Sequence, residues 1–167
     1  MSTTAGHRPR RRRVVAFASI DELLADVEAI IEAQQSGRLH ATGGWTPAQI
    51  CEHLAKMVEF SYDGFPFRAS WPVRIASHLA KWIAWKRFVD WSLQPGYKLP
   101  ARFQALVPDA RAEFSASVAR LRLALERIRR REPMLQPSPF EGRITHEQWV
   151  YAHLRHAELH LSFLEFS

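Results

Sequence analysis

The chain has 167 residues, a hydrophobic content of 47% and a formal net charge of +6. This composition is ordinary for a globular protein, which excludes wholesale disorder, and no apolar run is long enough for a membrane-spanning helix. Five of the positive charges are arginines between residues 8 and 13, so the rest of the chain is close to neutral. We therefore predict a disordered basic tail over residues 1–13, one domain over residues 14–167, and no specific nucleic-acid partner.

The single cysteine and the first residues of the chain indicate the cellular compartment of the protein. Cys51 has no partner for an intrachain disulfide, and one cysteine excludes a cysteine-rich zinc site. The arginines resemble the start of a secretion signal, but Asp21 and Glu22 interrupt the apolar stretch that follows. We therefore expect a cytoplasmic protein in which Cys51 is a small buried hydrophobic residue.

Five helical segments are predicted, and no strand. The first covers about residues 19–36, where apolar residues recur at helical spacing. The second begins after Thr46, which is the N-cap, with Pro47 at the first helical position and Gln49 closing a capping box. Trp45, directly before the cap, is expected to form a hydrophobic staple with Ile50.

The third predicted helix, about residues 72–91, is rich in tryptophan and basic residues. Such a helix suits either a membrane surface or packing against the protein or a second subunit, and we favour packing because tryptophans dominate cores and interfaces. The fourth covers about residues 108–131 and ends at a proline. Prolines and glycines predict loops over residues 93–107 and 133–143.

The fifth predicted helix repeats the start of the second. Thr145 is the N-cap, Gln148 closes the capping box, and the helix is expected to run to about Phe166, a length of about 33 Å. On a helical wheel, Arg155 and Glu158 fall on the polar side. We therefore expect Glu158 to face solvent, and Glu52 of the second helix likewise, so neither is predicted to act as a general base.

Three histidines, His153, His156 and His160, lie at the centre of the apolar face of the fifth helix. His156 and His160 are four residues apart, a spacing that lets both imidazoles direct a nitrogen lone pair at one ion. His53 flanks the apolar face of the second helix. An ion between the two helices would have three nitrogen ligands, and we predict that these nitrogens lie within about 4 Å of a common point.

The residues alone leave a second interpretation open, in which these histidines form an ordinary buried cluster. The remaining histidines add no ligand. His146 falls in the first helical turn and is expected to be exposed, and His7, His40 and His78 have no predicted partner. Cys51 lies about 200° around the helix from His53, so the two cannot share an ion.

Two segments, WTPAQICEHLA and RHAELHLSF, resemble the DinB-like (YfiT-like) metalloenzyme superfamily. That superfamily has one histidine on its second helix and a His-x-x-x-His pair on its last, which correspond to His53, His156 and His160. The wider pattern is similar to the subfamily known as domain of unknown function 1569. Its features are found here as RRRVVAFASIDELL, GGWTPAQICEHLA, SYDGFPF, the Gly-Tyr-Lys-Leu-Pro stretch and THEQWVYAHLRHAELHLSFL.

The resemblance implies an all-α four-helix bundle of up-down-down-up topology. The tryptophan-rich helix would be additional, between the second and third bundle helices. It also implies a homodimer and a divalent metal ion, zinc or nickel, bound by His53, His156 and His160. His153 is an extra histidine with two open roles: a group that supports a ligand from behind, or a competitor for a ligand position.

Characterised relatives include thiol-dependent transferases and a maleylpyruvate isomerase, in which the metal helps to activate a low-molecular-weight thiol. The resemblance thus implies a metal-dependent transferase or hydrolase acting on a small molecule, using a metal-activated thiol or water. Three imidazole ligands leave at least one position of a tetrahedral ion open. Two alternatives remain: a non-catalytic metal-binding or stress-response bundle, and a helical interaction module that binds through the tryptophan-rich helix.

Overall fold

The structure is a computed structural model that describes residues 12–92 and 101–166. In this part the chain is mainly helical, as predicted, but it also contains one small antiparallel sheet. The elements in chain order are α1 (Ile20–Gln35), β1 (His40–Ala41), α2 (Pro47–Asp63), α3 (Trp71–Ser92), a 3-10 helix (Ala101–Leu106), α4 (Phe114–Arg129), α5 (His146–Leu161) and β2 (Leu164–Glu165).

The hydrophobic core is built by α1, α2, α4 and α5. α2 packs on α4 and α5, and α1 packs on the same two helices. α3 lies outside this core and contacts α5, where its Asp90 accepts a 2.8 Å hydrogen bond from the Tyr151 hydroxyl. Within the described residues, no helix is both long and apolar enough to cross a membrane.

Local capping signals fix the starts of three helices, and the capping boxes of two of them were predicted. The Ser19 hydroxyl caps α1, and capping boxes begin α2 and α5. In α2, for example, the Gln49 amide donates to the Thr46 hydroxyl at 3.2 Å, and the Gln49 side chain accepts from the Thr46 amide at 3.0 Å. The predicted bounds of α1 and the start of α3 also agree with the structure.

The predicted start of α4 at residue 108 is wrong, because the helix begins at Phe114. Asp109 forms a turn instead: its carboxylate accepts from the Arg111 amide at 2.8 Å, and its carbonyl accepts from the Ala112 amide at 3.2 Å. The Asp109 carbonyl is thereby bound to the amide three residues ahead, whereas an α-helix would bind it to the amide four residues ahead. The helix therefore starts after the turn, with no side-chain cap at Glu113.

The predicted end of α5 near Phe166 is also wrong. The helix ends at Leu161, and β2 follows, pairing with β1 in the register His40 with Glu165 and Ala41 with Leu164. The Leu164 side chain is completely buried in the core. Strand pairing therefore replaces the last helical turn, and the expectation that the chain has no strand is corrected.

The segment before α1 covers the side of α5 that was predicted to face water. Its Phe17 amide donates to the Glu158 carboxylate at 2.6 Å, and its Phe17 carbonyl accepts from Arg155 at 2.6 Å. The Glu158 side chain is only 14% exposed. The prediction that Glu158 faces solvent is therefore wrong, because a segment distant in sequence lies on top of it.

Two residues of the predicted tail contact the helical body, while residues 1–11 lie outside the described residues. Arg13 forms two hydrogen bonds with the Asp26 carboxylate, at 2.5 and 2.7 Å, and its amide donates to the Ser162 carbonyl at 3.0 Å. The Arg12 guanidinium lies over the Phe163 ring at 5.0 Å. Arg12 and Arg13 thus contact the helical body, and the boundary of the predicted tail stays a prediction.

We expect Arg13→Ala to lower the free energy of unfolding by about 1–2 kcal/mol, because it removes a charge-assisted pair that is largely shielded from water. Deletion of residues 1–11 is the matched control. It is expected to change the free energy of unfolding by less than about 0.5 kcal/mol, since that segment has no apolar periodicity. Urea denaturation of the three proteins measures both effects. Equal stability of Arg13→Ala and the wild type would contradict this role for Arg13.

Candidate metal centre

The packing of α2 against α5 brings three histidines together. One side-chain nitrogen from each of His53, His156 and His160 lies within 4.8 Å of the other two, close enough for the three to hold one metal ion. The distances between ring centroids are 4.9 Å for His53 and His156, 4.5 Å for His53 and His160, and 4.6 Å for His156 and His160. The convergence expected from the sequence is present.

The orientation of His53 is set by a backbone carbonyl. Its Nδ1 lies 2.7 Å from the Leu106 carbonyl oxygen, which can only accept, so in the neutral ring Nδ1 carries the proton. The Nε2 lone pair then points into the cluster, where it lies 3.1 Å from His156 Nε2. That spacing is close to the roughly 3.3 Å between two nitrogens bound to one tetrahedral zinc ion. A carbonyl behind the ring is typical of metal-binding histidines.

The three imidazoles are neutral at ordinary pH. Burial lowers the pKa of His53 to about 4 and that of His160 to about 3. Burial also holds the pKa of His156 well below its usual value, and the neighbouring histidines lower it further. A neutral imidazole is the form that binds a metal ion, so these groups need not lose a proton to become ligands.

His153 lies beside the cluster but is not part of it. Its ring stacks on Trp149 at 5.4 Å, and its Nε2 lies 3.3 Å from the Ser61 hydroxyl. That hydroxyl donates to the Val58 carbonyl at 2.5 Å, so it accepts from His153. Burial lowers the pKa of His153 to about 3. A cavity of about 10 Å³, room for about one water molecule, touches both His153 and His156.

Trp45 is a site residue that sequence reasoning did not identify. Its ring stacks on His160, with centroids 5.5 Å apart and planes at 14°, and it tilts over His53 at 4.8 Å. His53 and His156 are buried, whereas His160 and Trp45 are only partly buried. The cluster is therefore nearest to the surface at His160, where Trp45 forms one wall.

The chain matches a family model described as "Protein of unknown function (DUF1569)" over residues 10–166. The chain belongs to this family. Comparisons with the curated proteins and with the solved structures returned no match. The likeness to domain of unknown function 1569 that the sequence motifs indicated is confirmed by the family match.

The carboxylates next to the histidines in sequence are engaged elsewhere in this DUF1569 protein. Glu52 accepts from the Asp109 amide at 2.8 Å and pairs with Lys56 at 2.8 Å, and its side chain is 13% exposed, so the prediction that it faces solvent is wrong. Burial raises the pKa of Glu52, but the hydrogen bonds from Lys56 and Asp109 outweigh burial and hold it below its usual value. Neither Glu52 nor Glu158 belongs to the histidine cluster.

The other candidate groups of this DUF1569 chain lie away from the cluster. Cys51 is buried as predicted, and burial raises its pKa to about 12, which keeps the thiol protonated and unreactive. His146 is partly buried rather than exposed, whereas His40 and His78 are exposed. His7 lies outside the described residues.

Proposed function

We propose that this DUF1569 protein is a DinB-like metalloprotein that binds one divalent ion, zinc or nickel, through His53, His156 and His160. The observation that carries the proposal is the convergence of three neutral imidazoles between two packed helices. Nitrogen donors suit both metals. The proposal includes a four-helix bundle of α1, α2, α4 and α5 in up-down-down-up order, supported by the packing of α1 and α2 on α4 and α5.

We further propose that the site is that of a transferase or hydrolase acting on a small molecule. A bound divalent ion supplies a Lewis acid that lowers the pKa of a coordinated water or low-molecular-weight thiol. The chain's own part is to supply three ligands rather than four, so that one position stays open. Within the described residues, no carboxylate or cysteine joins the three histidines to fill it. Trp45 lines the side from which a substrate approaches.

A metal-binding bundle without catalysis is the second candidate. It is favoured by the engagement of Glu52 and Glu158 in hydrogen bonds directed away from the cluster, which leaves neither free as a general base. Cobalt substitution distinguishes the two candidates. For the catalytic candidate, we expect a low-molecular-weight thiol or a substrate to change the visible spectrum of the cobalt protein, because it enters the open position.

Protein purified without a nickel column is expected to contain about one zinc or nickel ion per chain. Elemental analysis of the wild type, beside a His53→Ala/His160→Ala variant as the control, measures this content. Loss of most of the metal in the variant is expected because one ligand remains. A wild type without metal, both as purified and after dialysis against zinc and nickel, would refute the proposed function.

The homodimer, the cytoplasmic location and the interaction role of α3 stay predictions. The first half of α3 presents several apolar side chains to solvent, among them Trp71, Ile75 and Leu79, which are 73%, 52% and 58% exposed. Light scattering on the purified protein tests the homodimer. A monomeric mass at all concentrations would contradict it.

A further inference from the structure

The carbonyl that orients His53 belongs to Leu106, the last residue of the 3-10 helix, and residues 107–109 follow it without regular structure. The Leu106 oxygen lies 2.7 Å from His53 Nδ1. The last carbonyls of a helix have no hydrogen-bond partner within that helix. The direction of the Leu106 carbonyl, and with it the tautomer of His53, therefore depends on what holds residues 106–109 in place.

Two charged residues of α2, one before and one after His53 in sequence, bind the residues that follow Leu106. The Lys56 ammonium donates to the Val107 carbonyl at 3.0 Å, and one Glu52 carboxylate oxygen accepts from the Asp109 amide at 2.8 Å. The other Glu52 oxygen pairs with Lys56 at 2.8 Å. The two side chains are 13% and 18% exposed, so solvent weakens these bonds little. Together they fix the Val107 carbonyl and the Asp109 amide, which follow Leu106 in the chain.

We propose that Glu52 and Lys56 are positioning residues of the histidine cluster. By holding residues 106–109, they keep the Leu106 carbonyl on His53 Nδ1, so that the Nε2 lone pair points at His156. The expected effect on the tautomer of His53 follows from these hydrogen bonds and does not require that the cluster bind a metal ion. The effect on metal affinity rests on the proposed function, since it requires that His53 bind an ion through Nε2.

A purely structural role for the pair predicts a different result. It would lower stability without changing the tautomer of His53. α2 offers a matched control in Glu59, which pairs with Arg120 of α4, with Glu59 Oε1 2.6 Å from Arg120 Nε. This pair also joins two elements through a glutamate of α2, but its hydrogen bonds do not reach residues 106–109. Arg120 also lies 3.9 Å from Glu52 Oε1, but Glu59→Gln leaves the Glu52 Oε2 bond to the Asp109 amide in place and should therefore affect stability alone.

The test is nitrogen-15 NMR of the histidine rings in the full chain without added metal at fixed neutral pH. The wild type and Glu59→Gln are expected to show His53 protonated at Nδ1. In Glu52→Met and Lys56→Met, we expect a mixture of the two tautomers, whereas Lys56→Arg, which keeps a donor for Val107, should retain the wild-type signal. Gln49→Glu keeps the side-chain acceptor of the capping box but removes the donor of the 3.2 Å bond to the Asp109 carbonyl, and it should cause a smaller change in the same direction.

Chelator competition with zinc gives the second measurement. Glu52→Met and Lys56→Met are expected to bind zinc about 10- to 100-fold more weakly than Glu59→Gln, as is typical when support behind a ligand is lost. Unchanged tautomers and unchanged affinity in both methionine variants would overturn the proposal. If neither methionine variant folds, an unchanged tautomer in Gln49→Glu would overturn it instead. If the wild type binds no metal, the proposed function fails, and the tautomer alone decides the role of Glu52 and Lys56.

Discussion

His160→Ala is expected to weaken binding of a divalent ion by at least about 100-fold. The substitution removes one of three proposed nitrogen ligands, and two imidazoles hold an ion far less tightly than three. The fold should persist, because His160 is only partly buried and alanine is the better helix former. Chelator competition measures the affinity, and circular dichroism measures the helical content.

His78→Ala is the matched control for that experiment. It makes the same substitution in a helix, but His78 is exposed on α3 and does not belong to the cluster. Its affinity should equal that of the wild type. Equal affinities for His160→Ala and the wild type would show that His160 is not a ligand. His153 would then become the replacement candidate, although its Nε2 is directed at Ser61.

Lowering the pH from 7 to 5 is expected to reduce the free energy of unfolding of the metal-free protein by several kcal/mol. His53, His153 and His156 are buried, and burial lowers their pKa values in the folded state below the ordinary 6.5. The unfolded chain therefore binds protons below pH 6.5, while the folded chain does not until the pH reaches about 4 for His53 and about 3 for His153. Each such group can contribute up to about 1.4 kcal/mol per pH unit in that window.

Urea denaturation at a series of pH values measures this loss. The stability supplied by the neutral histidines is complete above pH 6.5 and falls as the pH drops below it. His153→Gln keeps a donor for the Ser61 hydroxyl but cannot titrate, so its stability should depend less steeply on pH than that of the wild type. A free energy of unfolding that stays constant between pH 7 and 5 would mean that the folded and unfolded chains take up the same number of protons, so that burial does not lower these pKa values.

The helix starts were predictable because their signals are local. The capping boxes at Thr46 and Thr145 each lie within four residues, and the structure forms both. The start of α4 was not, because the turn at Asp109 that stands in place of the first helical residues is also held at its amide by Glu52, which lies 57 residues away in sequence. The end of α5 depends in the same way on pairing with β1, a contact between distant segments that no pattern in α5 itself encodes.

The histidine cluster was predictable in part. His156 and His160 share a helix face, His53 flanks the apolar face of the second helix, and the family resemblance indicated the same three residues. The contacts around them were not predictable, because a backbone carbonyl such as that of Leu106 has no residue type to identify it. The contact of Trp45 with His160 joins the start of α2 to the end of α5, and the sequence offers only an aromatic residue before a helix cap.

The histidines of the cluster lie far apart in sequence, and this separation determines when the cluster can form during synthesis of the chain. His53 and His156 are 103 residues apart, and the Thr42 hydroxyl donates to the Phe163 carbonyl across 121 residues. Contacts of such long separation form late in folding, after the entropy of closing a large loop has been overcome. A growing chain cannot assemble the cluster until α5 has left the ribosome. All three histidines can therefore contact one ion only after α5 has been synthesised, so a nascent chain that lacks α5 cannot form the complete ligand set.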